Sequence, residues 1–337
     1  MSTCNNNYRL SGCLLAGVLV LLQPAAAALV DTPYSAVSLP FELHQVPGAP
    51  VYYIIGESGV PGSDNEGHTS NAGFVVTTEG VVVYDALGTP ALGYRLLQRI
   101  REVTDQPIRK IIVSHYHADH IYGLQAFKEH AGNPEVVAQQ LALGYVGGDR
   151  ASQGEAGQRR LEQRRVALFP WVDQDTVLVP PDTTFESEYR FTLGGLSFEV
   201  RHLGPAHAPG DSIMLVKEHG VLFSGDVIYK GRIPFLDSPE TDVRHWLEGL
   251  AYLTQLQPRP RFIIPGHGEG EADVTRALGA ALSQAARTPP ARRRAPASPS
   301  AAADCRRLPP RRRRPPPRPS DPDRAAACRE RRPPAPP

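Results

Sequence analysis

A chain of 337 residues is long enough for one large domain or two small ones, and its four cysteines exclude a disulfide framework, because none lies between Cys13 and Cys305. Thirty-six Lys and Arg against thirty-five Asp and Glu leave a formal charge of +1. That balance is uneven: residues 291–337 hold about 14 Arg against about 4 acidic residues, so an acidic body precedes a basic tail.

Residues 13–22 form an apolar run after a short polar stretch with Arg9, and Pro24-Ala25-Ala26-Ala27-Ala28 offers small-residue cleavage sites. This reads as a secretory signal peptide over 1–28, which places the mature protein in the periplasm or outside the cell. The run is too short for a membrane span, so no stable membrane anchor is expected after cleavage. Leu10-Ser11-Gly12-Cys13 has lipobox character, but its apolar run follows Cys13 instead of preceding it.

The body, 29–287, mixes both periodicities. Strands are expected over 51–56, 72–78 and 81–85, a helix over 91–103, and a buried strand over 109–114. Helical stretches follow through about residue 167. Further strands are expected over 191–201, 212–216 and 221–224, then a helix over 241–255 and a strand over 261–264. From 288 the composition turns to Pro, Arg and Ala, which cannot bury a core and reads as a disordered tail with the character of a GC-rich gene read out of frame. A nucleic-acid arm is the other reading of so many arginines. No nucleic-acid partner is expected, and the oligomeric state is not legible.

The chemistry concentrates after Ile111-Ile112-Val113, in His115-Tyr116-His117-Ala118-Asp119-His120. Residues two apart in extended chain point the same way, so His115 and His117 can converge on one ion while Asp119 and His120 lie further round the turn. Imidazole and carboxylate are ligands that zinc takes, and a catalytic zinc keeps one position open. One loop cannot complete two such shells. Three later stretches can contribute: Gly204-Pro205-Ala206-His207, Phe223-Ser224-Gly225-Asp226 and Ile264-Pro265-Gly266-His267-Gly268, each at an apolar run with turn residues that aim a side chain. His68, His130, His202, His219 and His245 stand alone and receive no role.

These residues resemble the metallo-β-lactamase superfamily, whose signature is a His-x-His-x-Asp-His loop followed by separate His, Asp and His positions; the match spans about 51–268. The resemblance implies an α/β fold, a four-layer αβ/βα sandwich. It also implies two Zn2+ per chain: one on His115, His117 and His207, the other on Asp119, His120 and His267, with Asp226 bridging both. Asp85, after Val81-Val82-Val83-Tyr84, matches the family's aspartate that buttresses the histidine loop. Asp119 would also orient the nucleophile, a hydroxide shared by the metals, for hydrolysis of a small ester, thioester, amide or lactam. Tyr229, Lys230 and Arg232 follow Asp226 closely and are candidates for binding an anionic group. The Gly231-Arg232-Ile233-Pro234-Phe235 segment and the signal peptide are similar to exported members associated with sulfur-oxidation and quinoprotein systems. β-Lactamase activity is one alternative, although Asp226 stands where some β-lactamases carry cysteine. A mononuclear iron sulfur dioxygenase is another, although such members lack part of the second site.

Overall fold

The described residues of the computed structural model are 33–147, 154–231 and 240–287. The expected signal peptide, the 288–337 tail and Arg232 lie outside them. Seven strands form the first sheet in chain order: β1 (His44–Gln45), β2 (Val51–Ile54), β3 (Ala72–Val76), β4 (Val81–Tyr84), β5 (Ile108–Ile112), β6 (Glu135–Gln139) and β7 (Thr183–Phe185). The first four pair antiparallel and β4 to β7 pair parallel. The second sheet holds β8 (Glu188–Leu193), β9 (Leu196–His202), β10 (Ser212–Val216), β11 (Val221–Tyr229) and β12 (Phe262–His267), in the order β12-β11-β10-β9-β8. Only the β11–β12 pair in it is parallel.

Parallel neighbours need crossovers, and helices supply them. Helix α1 (Pro90–Val103) links β4 to β5; α2 (Ala118–Ile121) and α3 (Leu124–His130) link β5 to β6. Between β6 and β7 come α4 (Leu143–Val146) and α5 (Glu155–Ala167), and α6 (Val243–Thr254) joins β11 to β12. Helix α7 (Val274–Ala286) follows β12. The start of α1 is written in its sequence: Thr89 accepts a hydrogen bond from Leu92 N at 3.1 Å, and Pro90 presets the first turn. Leu92, Leu96 and Ile100 then recur on one face and are buried.

The layers follow from the two-residue period of strands. Val81 and Val83 pack with Leu92, Leu96 and Phe127 beneath the helices of the first sheet, while Val82 and Tyr84 face the other way. Ile111 and Ile112 divide in the same manner. In the second sheet Met214, Val216 and Phe223 point toward Val82 and Tyr84, whereas Ile213, Leu215 and Leu222 turn to Trp246, Leu250 and Leu278 of α6 and α7. Three apolar cores therefore separate four layers, helix, sheet, sheet and helix. Each buried Val or Leu adds roughly 1.5–3 kcal/mol of transfer free energy.

Several elements differ from expectation. Residues 135–139 form strand β6, not helix: Val136 and Val137 are β-branched, and Gly132 and Asn133, both at positive φ, turn the chain just before them. The single strand expected over 191–201 is a hairpin, broken at Gly194-Gly195, where φ is 51° and 83°. Strand β7 and helix α7 had no counterpart in the expected elements. Strand β11 continues to Tyr229, five residues beyond its expected end. Among the described residues no helix is long and apolar enough to cross a membrane.

Candidate metal centre

The carboxyl ends of β5 and β12, the loop between β9 and β10, and the distal half of β11 meet at one edge of the sandwich. Beyond β5 the chain stays extended through His117, then turns into α2, so His115 and His117 precede the helix while Asp119 and His120 ride on its first turn. Asp226 sits within β11 and not in a loop beyond it. The β11–β12 register slips between Phe223 and Gly225 and again between Gly225 and Tyr229, and this irregularity aims Asp226 inward. Two glycines make the approach feasible. Gly225, at φ 50°, passes so close to Ser114 that a β-carbon would clash, and one on Gly266 would strike Asp226 Oδ1.

All seven expected ligands come together, in two groups. His115, His117, His207 and Asp226 place one donor atom each within 4.8 Å of one another, and so do Asp119, His120 and His267. His207 Nε2 lies 2.8 Å from His117 Nδ1. The two oxygens of Asp226 divide the groups between them. Oδ2 stands 3.2 Å from His207 Nε2 and 3.7 Å from His115 Nε2, whereas Oδ1 stands 3.2 Å from His120 Nε2 and 3.3 Å from His267 Nε2. Asp119 Oδ2 faces the second group, 3.6 Å from His267 Nε2 and 3.9 Å from His120 Nε2.

The donor set suits cations. His115 Nε2, His120 Nε2 and Asp226 Oδ1 are buried without a hydrogen-bond partner, which is costly for polar atoms unless something else satisfies them. Burial pushes His117 down to about 3 and lowers His115 and His207 as well, so these imidazoles are neutral and have lone pairs to give. Burial also disfavours charge on His120, yet Asp226, Asp85 and Asp119 together pull its pKa well above the usual histidine range. The negative field that holds a proton there is the field that attracts a metal. On Asp119, burial raises the pKa but His120 and His267 prevail and hold the carboxyl at about 2.

Surrounding groups fix the imidazoles from behind. Asp85, at φ 61°, accepts from Ser114 N at 2.7 Å and Ser114 Oγ at 2.8 Å, and its Oδ2 lies 2.9 Å from His120 Nδ1. That contact holds the His120 ring so that Nε2 faces Asp226. Thr69 O lies against His267 Nδ1, Ser114 Oγ is 3.0 Å from His115 Nδ1, and Ser70 Oγ donates to the Asp119 carbonyl. Asn71 ties the sheets together, donating from Nδ2 to Pro265 O at 2.8 Å and to Gly268 O at 2.6 Å.

Sequence reasoning missed Asp211. It is buried, accepts from Ala208 N at 2.7 Å to shape the His207 loop, and brings Oδ1 to 3.9 Å from His115 Nδ1. Its place four residues after His207 in a Pro-Gly turn was the available signal. Tyr229, expected to bind substrate, has its hydroxyl inside the first donor group, where it donates to Asp226 Oδ2. Lys230 points elsewhere, with Nζ 3.3 Å from Glu271 and 3.6 Å from Glu269. A cavity of about 120 Å³ opens beside His115, walled by Val113, Tyr116, Ala138, Leu141, Tyr145 and Pro209, with Gln139 and Glu240 as polar members.

The family model described as "Metallo-beta-lactamase superfamily" matches residues 66–267. Hydroxyacylglutathione hydrolase GloC of Haemophilus influenzae is 29% identical over 177 residues, covering 52% of this chain and 74% of that protein. Linear primary-alkylsulfatase of a Pseudomonas species is 25% identical over 215 residues, 57% of this chain, and the match spans only 40% of the alkylsulfatase. Among solved structures, a metallo-beta-lactamase from Pontibacter korlensis superposes with a TM-score of 0.55 at 20% identity, over 74% of this chain and all of that one. The sandwich, the two donor groups divided by Asp226 and the family match over 66–267 agree: the chain belongs to the metallo-beta-lactamase superfamily.

Proposed function

We propose that this chain is a two-zinc hydrolase of small acyl thioesters and related esters. The observation that carries the two-metal part is the Asp226 carboxylate, one oxygen toward His115 and His207 and the other toward His120 and His267. His115, His117, His207 and Asp226 would hold one ion, and Asp119, His120, His267 and Asp226 the other. Metals at such a site supply Lewis-acid activation of water and of the scissile carbonyl. The chain's own groups do the rest. Asp119, ionised and only partly covered, orients the attacking water and accepts its hydrogen bond. Thr69 Oγ, 3.4 Å from Asp119 Oδ2, steadies that carboxylate. The cavity beside His115, lined by Val113, Leu141 and Pro209 together with Gln139 and Glu240, would receive part of the substrate.

The cavity supports an acyl substrate of modest size. At about 120 Å³, with His115, Gln139 and Glu240 in its wall beside Val113, Leu141 and Pro209, it suits a small group of mixed polarity. Hydroxyacylglutathione is a thioester, and a hydrolase named for it is among the relatives. A purified, zinc-loaded chain tested on thioesters, lactones, β-lactams, alkyl sulfates and phosphodiesters should favour short acyl thioesters, and His117→Ala should lower that turnover by orders of magnitude with the fold retained. Preference for β-lactams or alkyl sulfates would overturn the substrate assignment. Dioxygen uptake with one iron per chain would overturn hydrolysis itself.

A further inference from the structure

We propose that Arg160 and Arg164 of α5, together with the Tyr145 hydroxyl, form a binding site for a carboxylate of the substrate, beside the metal centre and away from the scissile bond. The inference rests on the hydrolase reading above and narrows it to substrates that carry an acid group. Helix α5 is seated on α4 through glycines: Gly154 N donates to Gly144 O at 3.3 Å, and a β-carbon on Gly157 would strike Tyr145 O. Tyr145 and Ala156 both wall the cavity beside His115. Residues four apart share a helix face, so Arg160 follows Ala156 along the cavity side and Arg164 stands one turn further. The arginines of the opposite flank are engaged, Arg159 with Glu155 at 3.3 Å and Arg165 with Glu162 at 2.8 Å. Arg160 and Arg164 form no ion pair among the described residues, and Arg164 Nε is buried without a hydrogen-bond partner. Like charges at this spacing repel, a cost that an anion held between them removes.

Tyr145 connects these arginines to the metal centre, because its hydroxyl lies within electrostatic reach of Arg160, Arg164 and Asp119 alike. Burial pushes its phenol up to about 12 against the pull of Arg160, so it keeps its proton and can donate it to an anion. Glu240, the acid in the cavity wall, stands by the His207 loop, where Thr241 Oγ1 donates to His207 O at 3.0 Å and Asp242 N to Ala206 O at 2.9 Å. The cavity is thus acidic at the His207 loop and flanked by cations at α5, which sets a carboxylate at the α5 wall. Guanidinium groups match the two oxygens of a carboxylate with paired N–H donors, and the phenol adds a third.

The test compares the zinc-loaded full chain with its Arg160→Gln/Arg164→Gln double variant. Two matched substrates differ in charge alone: the adipoyl thioester of N-acetylcysteamine, with its free carboxylate, and the carboxamide counterpart. The wild type should prefer the acid about tenfold in kcat/KM, mainly through KM, and the preference should shrink with added salt and vanish in the double variant. Calorimetric binding of adipate and of its monoamide needs no turnover, and the second carboxylate should tighten binding about tenfold in the wild type and not in the double variant. Equal binding of the two by the wild type, or a preference for the acid that survives in the double variant, overturns the carboxylate site and leaves the hydrolase reading standing. Tighter adipate binding that the double variant loses, with neither thioester hydrolysed, overturns the hydrolase reading and leaves the carboxylate site standing.

Discussion

Single side chains at this centre act through which atom faces where. His115, His120 and His267 all turn Nε2 toward Asp226 because Ser114, Asp85 and Thr69 occupy their Nδ1 atoms. His68 is the contrasting case. Its ring is buried against Phe41, with centroids 5.0 Å apart, and neither nitrogen has a hydrogen-bond partner among the described residues. Burial lowers its pKa to about 4 from an ordinary 6.5. The unfolded chain therefore binds a proton that the folded chain refuses, and stability is lost as pH falls from 6.5 toward 4. The full difference amounts to roughly 3 kcal/mol. Urea unfolding across that range should show the fall, and His68→Leu should make it shallower while leaving the share that the histidines of the metal centre contribute. A variant with the wild-type slope would contradict this account of His68.

At the scale of elements, legibility followed the strength of local signals. The His115–His120 loop was legible because apolar Ile111-Ile112-Val113 sets a strand end and the crowded imidazoles have no comfortable role without a cation. Helix α1 was expected over 91–103 and begins one residue earlier, at Pro90 behind its Thr89 cap. Strand β6 was hidden inside an expected helical stretch, since five residues are too few for periodicity to speak. Asp226 was recognised but misplaced. Its strand bends through register slips that depend on how β11 meets β12, a non-local fact that Ser224-Gly225 alone does not disclose. The inward turn of Tyr229 escaped for the same reason, whereas Asp211 had a local signal, the Pro209-Gly210 turn after His207, that went unread. Helix α6 depends on one residue in particular: Trp246 is 2% exposed and its Nε1 donates to Val227 O at 2.9 Å, fastening the helix to the strand that carries Asp226. Trp246→Ala should cost about 3–5 kcal/mol in chemical denaturation. Trp246→Phe, which keeps most of the packing, should cost clearly less. Equal losses would show that the hydrogen bond and not the packing holds α6.

For the whole molecule, the two sheets are two halves of one device. The first contributes His115, His117, Asp119 and His120 beyond β5, with Asp85 behind them. The second contributes His207, Asp226 and His267, with Asn71 of the first sheet bonded to the loop around His267. Neither half holds a complete ligand set, so metal binding and sandwich closure are linked, and each ion held by the folded state alone would stabilise it by about 2.7 kcal/mol at one hundred times its dissociation constant. The central claim is that Asp226 joins two ions in one centre. Titration of zinc into the metal-free full chain, read against a competing chelator and repeated on Asp226→Asn, addresses that claim most directly. The account predicts two zinc ions per chain and weakening of both binding steps by the substitution. One ion per chain, or a substitution that weakens a single step, would contradict it.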